Sequence, residues 1–477
     1  MNILILLLAL QSTLTIGNIK FMRTLFLFTL IALNSSTSLA LELSEALTSG
    51  YNNNEKLKII RSEFLNEIEQ FPRALAGFMP RVSAGFDATD SKVTRKSNIP
   101  IPAGGLDTTS VDNSRYSKTL TLDQPIFNGG SSVAELKAAQ SAFRASKGSY
   151  YAREQDIFFD EITNYLTCVE AREKYNISKI SVRSNRTQLE AVKEKFKLGE
   201  STETEVASAE SGLASAQANQ SIAYANFEAA KAEFSKVFAL EASGIKMPEL
   251  ASNLPNSLEE LIEIAIAANP SVIAAQHTTK ASKAGEYVAK GALLPQVSFR
   301  IQSGNTSYSP EDQVRQNYNN NSVTSTLSVN VPILSKGGVE YSDVRKAKYQ
   351  TKKAVLQLDG QIKQIKSQCK ASWERFNAAK ARIEATSQGV KSAEIAYEGM
   401  VQEEMLGSKT IIDVITSEEK LSKARETRIE AQKELILASY NIKSLMGELT
   451  AEKMKLPVEY FNPDQEFKKL KLRIVGF

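Results

Sequence analysis

A repeated length constrains this chain more than any other feature of its sequence. A helix-forming stretch opens at Gly129-Gly130 and closes at Lys197-Leu198-Gly199, and the same punctuation returns at Gly337-Gly338 and Met405-Leu406-Gly407. Gly130 to Gly338 and Gly199 to Gly407 are both offset by 208 residues, so each copy holds 69 steps between its glycines. At a rise of 1.5 Å per residue, residues 131–198 and 339–406 would each span roughly 100 Å, far beyond an ordinary globular helix. Most of the sequence differs between the copies while the length does not, so length itself is what the structure needs.

Each long helix is followed by a glycine turn and a returning helix. In the first copy Thr202 or Thr204 starts the return, and Val206, Leu213, Phe227 and Phe234 form a seven-residue apolar seam interrupted at Gln220. In the second the seam is Val414, Leu421, Leu435 and Ile442, interrupted at Arg428, each 208 residues on. The first return helix ends near Leu240. After a linker containing Pro248 and Pro255, the pattern predicts helices over 257–268 and 271–294, broken at Asn269-Pro270. The return helix and the last of these together nearly match the long helix in length, so shorter helices can stack end to end beside it.

Before each glycine pair the periodicity changes from 3.6 to 2. Val82, Ala84, Phe86 and Ala88 alternate with polar residues, as do Leu120 and Leu122, then Val297, Phe299 and Ile301, then Val323, Leu327, Val329 and Val331. These are four strands, each with one apolar and one polar face. The intervening stretches 90–115 and 303–321 are rich in Ser, Thr, Asn, Pro and Gly and read as surface loops. Ahead of the first strand, a short amphipathic helix carries Leu43, Ala46 and Leu47 and breaks at residues 50–54. A second helix covers 55–79 and stops at Pro80.

Composition bounds the function by exclusion. A net charge of +4 over 477 residues implies no nucleic-acid partner. One histidine, His277, and two cysteines unrelated by the 208 offset, Cys168 and Cys369, offer no metal cluster and read as an isolated imidazole and two isolated thiols. The glycine pairs lack GxxxxGK or GxGxxG spacing, and no nucleophile–base constellation is present, so neither a cofactor nor an enzyme is expected. Trp373 reads as a packing residue of the second long helix. Residues 1–40 read as an export signal, with a basic start at Met22-Arg23, an apolar core over 24–33 and a small-x-small site at Ser38-Leu39-Ala40. Translation therefore starts at Met1 or at Met22.

An exported chain with four half-apolar strands and no further spanning apolar run points to inserted β-structure. Open sheet edges are not tolerated in hydrocarbon, and bacterial barrels start at eight strands, so four strands per chain require a barrel shared between subunits: eight strands for a dimer, twelve for a trimer. The final Phe477 follows helix and loop rather than a strand, and is not read as a barrel terminus.

Two halves of strand-loop-strand and long helix, together with the turn motifs Phe196-Lys197-Leu198-Gly199, Thr204-Glu205-Val206 and Gly407 with Thr410-Ile411-Ile412-Asp413-Val414, resemble the TolC family of outer-membrane efflux proteins over residues 41–450. The resemblance implies a mainly α fold with a β-barrel part. It implies a homotrimer whose twelve-stranded barrel sits in outer-membrane lipid and continues as a periplasmic α-helical tube. Its implied partners are a periplasmic adaptor and an inner-membrane pump or ABC exporter, and its implied role is passive conduction in tripartite efflux or type I secretion. The implied organisation is a signal peptide (1–40), two efflux repeats (41–250 and 251–450) and a periplasmic tail (451–477).

The same resemblance assigns a gate. The turns at Gly199 and Gly407 would form the periplasmic mouth, with Gly130 and Gly338 at the barrel end. Matching positions put Lys409 on the basic side and Glu205 on the acidic side of a closing bond. Glu404 stands where family members can carry an aromatic partner, which leaves a Lys409–Glu404 pair as an alternative. Asp413 matches a cation-attracting acidic ring at the entrance, and the second position of that ring is Thr416. The competing reading of Asp413 is a helix N-terminal residue favoured by the macrodipole. The competing reading of the whole chain is a coiled-coil structural or adhesive protein, which would lack amphipathic strands and channel activity.

Overall fold

The computed structural model of the chain describes residues 41–100, 106–310 and 318–472. The expected signal peptide, both candidate start sites and Phe477 lie outside the described residues.

Two helices of equal length form the frame, α4 (Ser131–Lys197) and α8 (Val339–Met405), 67 residues each. Both start from a left-handed glycine, Gly130 and Gly338. Gly129 is required for a second reason: a Cβ there would lie 2.1 Å from the Gly291 carbonyl oxygen, where the end of a later helix closes against the start of α4. At the far ends the chain reverses through matching turns. The Glu200 N–H donates to the Lys195 carbonyl (2.8 Å) and the Ser408 N–H to the Glu403 carbonyl (2.9 Å), each across a left-handed glycine, Gly199 or Gly407.

Preceding α4 are α1 (Leu43–Asn53), α2 (Glu55–Ile68), α3 (Gln70–Leu75) and one 3₁₀ turn (Ala76–Phe78). The expected break at 50–54 falls at its C-terminal limit, because Gly50 and Tyr51 are buried within α1 and Asn54 caps α2. The expected single helix over 55–79 is instead three pieces, hinged at Glu69 and Ala76. Following α4, α5 (Glu203–Phe238) starts at Thr202, and α6 (Leu258–Ala268) and α7 (Pro270–Gly291) meet at Asn269, whose side chain caps α7 and donates to the buried Leu445 carbonyl. α5 packs along α4 on the side of the turns and α7 along α4 on the side of the strands, so the stacking expected from lengths alone is observed. α9 (Ile411–Leu445) returns beside α8 and also packs on α4.

The strands β1 (Arg81–Pro100), β2 (Leu106–Asn128), β3 (Gln296–Pro310) and β4 (Tyr318–Asn330) form one antiparallel sheet in the order β1-β2-β3-β4. Its register aligns the apolar sets: Val82 faces Leu122, Leu122 faces Ile301, Phe299 faces Leu327 and Val297 faces Val329. One face is thus apolar across all four strands, and Val82, Phe86, Leu120, Val323, Leu327 and Val329 are each more than half exposed. The opposite face is polar, with Asp123 accepting from Arg300 at 2.7 Å. Much of what reads as loop is strand. Thr89 pairs with Arg115, Ser91 with Asn113 and Asn305 with Asn321. Apolar pairs such as Val93 with Val111 are isolated there, so backbone pairing continues where apolar alternation has stopped.

The main core lies midway between sheet and turns, where α1, α2, α4 and the C-terminal segment meet. Phe158, Tyr165 and Phe234 are fully buried, Tyr51 stacks on Phe158, and the Tyr165 hydroxyl lies 2.9 Å from the carbonyl oxygens of Leu41 and Lys246. A helix not evident from the sequence, α10 (Pro463–Leu472), folds back here, with Phe467 stacked on Phe143 at 3.8 Å. A second cluster around Leu261, Ile365 and Ile442 includes the partly buried Trp373 as a packing residue. Cys168 and Cys369 are free thiols buried in different clusters. No described helix is long and apolar enough to cross a membrane.

Candidate functional site

The turn-bearing ends of α4, α5, α8 and α9 come together in a small cluster, Leu189, Val192, Ala209, Ile411 and Val414. Every sequence-predicted gate residue lies at this end. Thr202 and Thr410, again 208 apart, begin the returning helices as matched N-caps. Each forms a capping box with the residue three positions on, and those residues are Glu205 and Asp413. The sequence assigned these two carboxylates different duties, yet they are the same position of the two halves.

Their electrostatics follow from the caps. Glu205 Oε2 accepts from Ser201 Oγ (2.7 Å) and the Thr202 N–H (2.9 Å), and these bonds with Ser201 and Thr202, aided by Lys195, hold its carboxyl below the usual range. Asp413 Oδ2 accepts from the Thr410 N–H (3.0 Å) and Thr410 Oγ1 (2.9 Å), which lower its pKa likewise, with Lys409 adding to the effect. Both groups are thus held as anions at helix N-termini, where the dipole favours them. The capping reading of Asp413 is observed, and it leaves a charged carboxylate at the turn-bearing end.

The structure distributes the expected ion-pair partners differently. Glu404 pairs with Lys195, not Lys409, at 2.7 Å. That bond joins the last turns of α4 and α8. Lys195 is also the cation acting on Glu205, while Lys409 lies beside Asp413 and makes no ion pair within the chain among the described residues.

Lys195 is the last rung of a ladder absent from the sequence reading. Along α4, Lys174, Ser181, Gln188 and Lys195 recur every seven residues. Lys174 pairs with Glu430 of α9 (2.7 Å) and Ser181 Oγ donates to Glu418 Oε2 of α9 (2.9 Å). Gln188 Nε2 donates to the Tyr397 hydroxyl of α8 (3.2 Å), which also lies 2.7 Å from Ser184 Oγ. Lys433 of α9 adds a pair to Glu170 at 2.8 Å. A heptad scan for polar as well as apolar residues would have found the α4 members, but their partners depend on helix registers that one strand of sequence does not contain.

At the turns themselves Leu198 and Leu406 are 75% and 84% exposed, two equivalent apolar tips with nothing packed over them among the described residues. Among the described residues no group of acidic, histidine or cysteine side chains suits a metal ion. The arrangement offers charge and hydrogen bonds across four helix ends.

Known proteins resemble the chain as a whole. The family model described as outer membrane efflux protein matches residues 69–237 and 261–448. The outer membrane efflux protein BepC of Brucella suis biovar 1 is 23% identical over 444 residues, covering 93% of each chain. The outer membrane protein TolC of Escherichia coli K12 is 22% identical, covering 88% of this chain and 84% of its own. Among solved structures, the Campylobacter jejuni CmeC outer membrane channel superposes with a TM-score of 0.72 at 16% identity, covering 91% of this chain and 90% of the other.

Proposed function

Since the chain belongs to the outer membrane efflux protein family, we propose that it is one third of a homotrimeric duct, a twelve-stranded outer-membrane barrel continued by a periplasmic helical tube. Its place is the outer membrane with an extension into the periplasm, and it is not an enzyme.

The observation that carries the shared barrel is the sheet. It has an exposed apolar face and two unpaired edges, β1 and β4. In lipid the face is satisfied but the edges are not, so the sheet must close through other copies. Two or three such sheets fall within the size range of outer-membrane barrels, and the resemblance to the TolC family favours three, a barrel of twelve. A coiled-coil fibre would have no use for this sheet. In the same reading residues 41–250 and 251–450 are two repeats and 451–477 a periplasmic tail, with Gly130 and Gly338 at the barrel end and Gly199 and Gly407 at the mouth.

The mouth acts as the gate. Within a protomer the Lys195–Glu404 pair and the ladder above it hold α8 and α9 against α4. Between protomers, Lys409 is available to a neighbour's Glu205, whose Oε1 takes no part in its cap. Three copies of Asp413 form the acidic ring that favours cations. Weak ties of this kind, at most about 1 kcal/mol each where exposed, suit a gate because three together bias a two-state equilibrium without locking it. The exposed Leu198 and Leu406 tips suit a periplasmic adaptor, and the energy for efflux or type I secretion comes from an inner-membrane pump or ABC exporter.

Reconstitution of the purified protein in a planar bilayer tests this reading. The wild type is expected to form a cation-preferring channel. Asp413→Asn, which keeps an oxygen for the cap, is expected to lose most of that preference. The absence of any channel contradicts the duct; a channel with unchanged preference in the variant contradicts only the ring.

A further inference from the structure

Between α4, α7 and the C-terminal segment lies a cavity of about 510 Å³, remote from the mouth and the sheet. Arg144 lies thirteen residues into α4, which places the cavity about 20 Å from the strand end of that helix. The volume falls within the range that holds a small organic molecule.

Its walls combine two chemistries. Phe143, Tyr151, Pro270 and Ile273 supply an apolar side. Arg144 of α4, His277 of α7 and Lys453 of the C-terminal segment supply a basic one. Two acidic groups also reach it. Asp464 is taken by Lys147 at 2.5 Å, and Glu452 raises the pKa of Tyr151 and Glu154 on α4. Arg144 and Lys453 make no ion pair among the described residues, and His277 Nδ1 is buried without a hydrogen-bond partner. Burial, with smaller contributions from Lys280 and Arg144, holds the imidazole below its ordinary range. Three cationic or donor groups drawn from three separate segments, Arg144 and Lys453 exposed and His277 half-buried, thus line a partly open cleft with an apolar back wall.

We propose that this cavity binds a small organic anion, with a phosphate or carboxylate head held by Arg144, Lys453 and His277 and an apolar body against Phe143 and Ile273. Arg144 offers the planar fork that recognises either head group, and an anion between these groups relieves their mutual repulsion. The ligand joins α4 and α7 to the C-terminal segment, so it stabilises the docked tail by mass action.

His277 is the only histidine of the chain, so its titration reads the site directly. Full-length trimer carrying no histidine tag, labelled at histidine ¹³Cε1, is titrated over pH 5–8 alone, with inorganic phosphate, with hexyl phosphate and with sodium chloride at matched ionic strength. Hexyl phosphate is expected to raise the imidazole pKa saturably by about one unit, as a neighbouring opposite charge does, and at lower concentration than inorganic phosphate. Arg144→Gln is expected to weaken hexyl phosphate binding at least about tenfold, Arg144→Lys less so, and both variants keep wild-type conductance. A resonance moved by neither phosphate, moved equally by sodium chloride, or moved by both phosphates at equal concentration overturns the proposal. So does unchanged affinity in Arg144→Gln. Channel formation is measured on the same sample, so failure of this site is distinguishable from failure of the duct.

Discussion

The middle of the molecule and its turn-bearing end use carboxylates in opposite ways. In the middle, Glu161 lies under α1, with Oε1 accepting from Asn54 (2.7 Å) and Oε2 buried without a partner, and burial pushes its pKa up to about 8. Glu154 nearby is raised to about 7 by the same cause. At the mouth, Glu205 and Asp413 are solvated, capped and held below the usual range. Burial in the aromatic packing of the first region raises the pKa of Glu154 and Glu161; at the second, caps on a thin apolar cluster crossed by polar ties lower those of Glu205 and Asp413. The proposed duct, intact while its end opens, needs this division, because packed cores resist continuous deformation whereas exposed polar bonds exchange readily with water.

The largest effect expected from breaking the contrast is in the middle. Phe158→Ala removes a fully buried ring and is expected to cost about 3–5 kcal/mol, measured by denaturant unfolding of the folded protein. The equivalent experiment at the mouth, Lys195→Ala, is expected to change stability by less than about 1 kcal/mol. If the two variants lose similar stability, the division is wrong.

The pH dependences are next, and their signs differ. The folded pKa of Glu161 lies above its ordinary value of 4.5, so its contribution is complete below about 4.5 and is lost as pH rises through about 8. Glu161→Gln is expected to flatten the decline in melting temperature between pH 5 and 8. Glu205 and Asp413 have lowered values, so their contribution is present above the ordinary carboxylate range and is lost as pH falls through their folded values. Hydrogen exchange on acidification is therefore expected to show the first turns of α5 and α9 fraying while α1 and α2 stay protected. The smallest expected effect is that of Glu205→Gln, which keeps a cap acceptor but removes the charge, and should alter conductance slightly without a measurable change in melting temperature.

The sequence made the frame legible because its landmarks are local. Glycines that must be left-handed, prolines that stop helices, and an alternation of apolar residues along β1 to β4 each act within a few residues. The 208-residue offset also holds the equivalence of Glu205 with Asp413, though their separate likeness to gate and ring positions obscured it. What stayed illegible depends on distant contacts. The strand extensions at 90–100 and 303–310 have no amphipathic signal, and α10 becomes visible only when Phe467 meets Phe143. The Lys195–Glu404 bond depends on α4 and α8 ending at the same height, which no local signal records; the resemblance pairs Lys409 with Glu205, and Glu404 only as an alternative.

The central claim is that the chain forms a duct closed at the ends of α4 and α8. Single-channel conductance of wild type and of Glu404→Gln, which removes one side of the Lys195 tie while leaving the turn intact, tests it most directly. A higher conductance or longer open times in the variant is the result predicted here; a channel opening identically in both would place the constriction elsewhere and contradict the account.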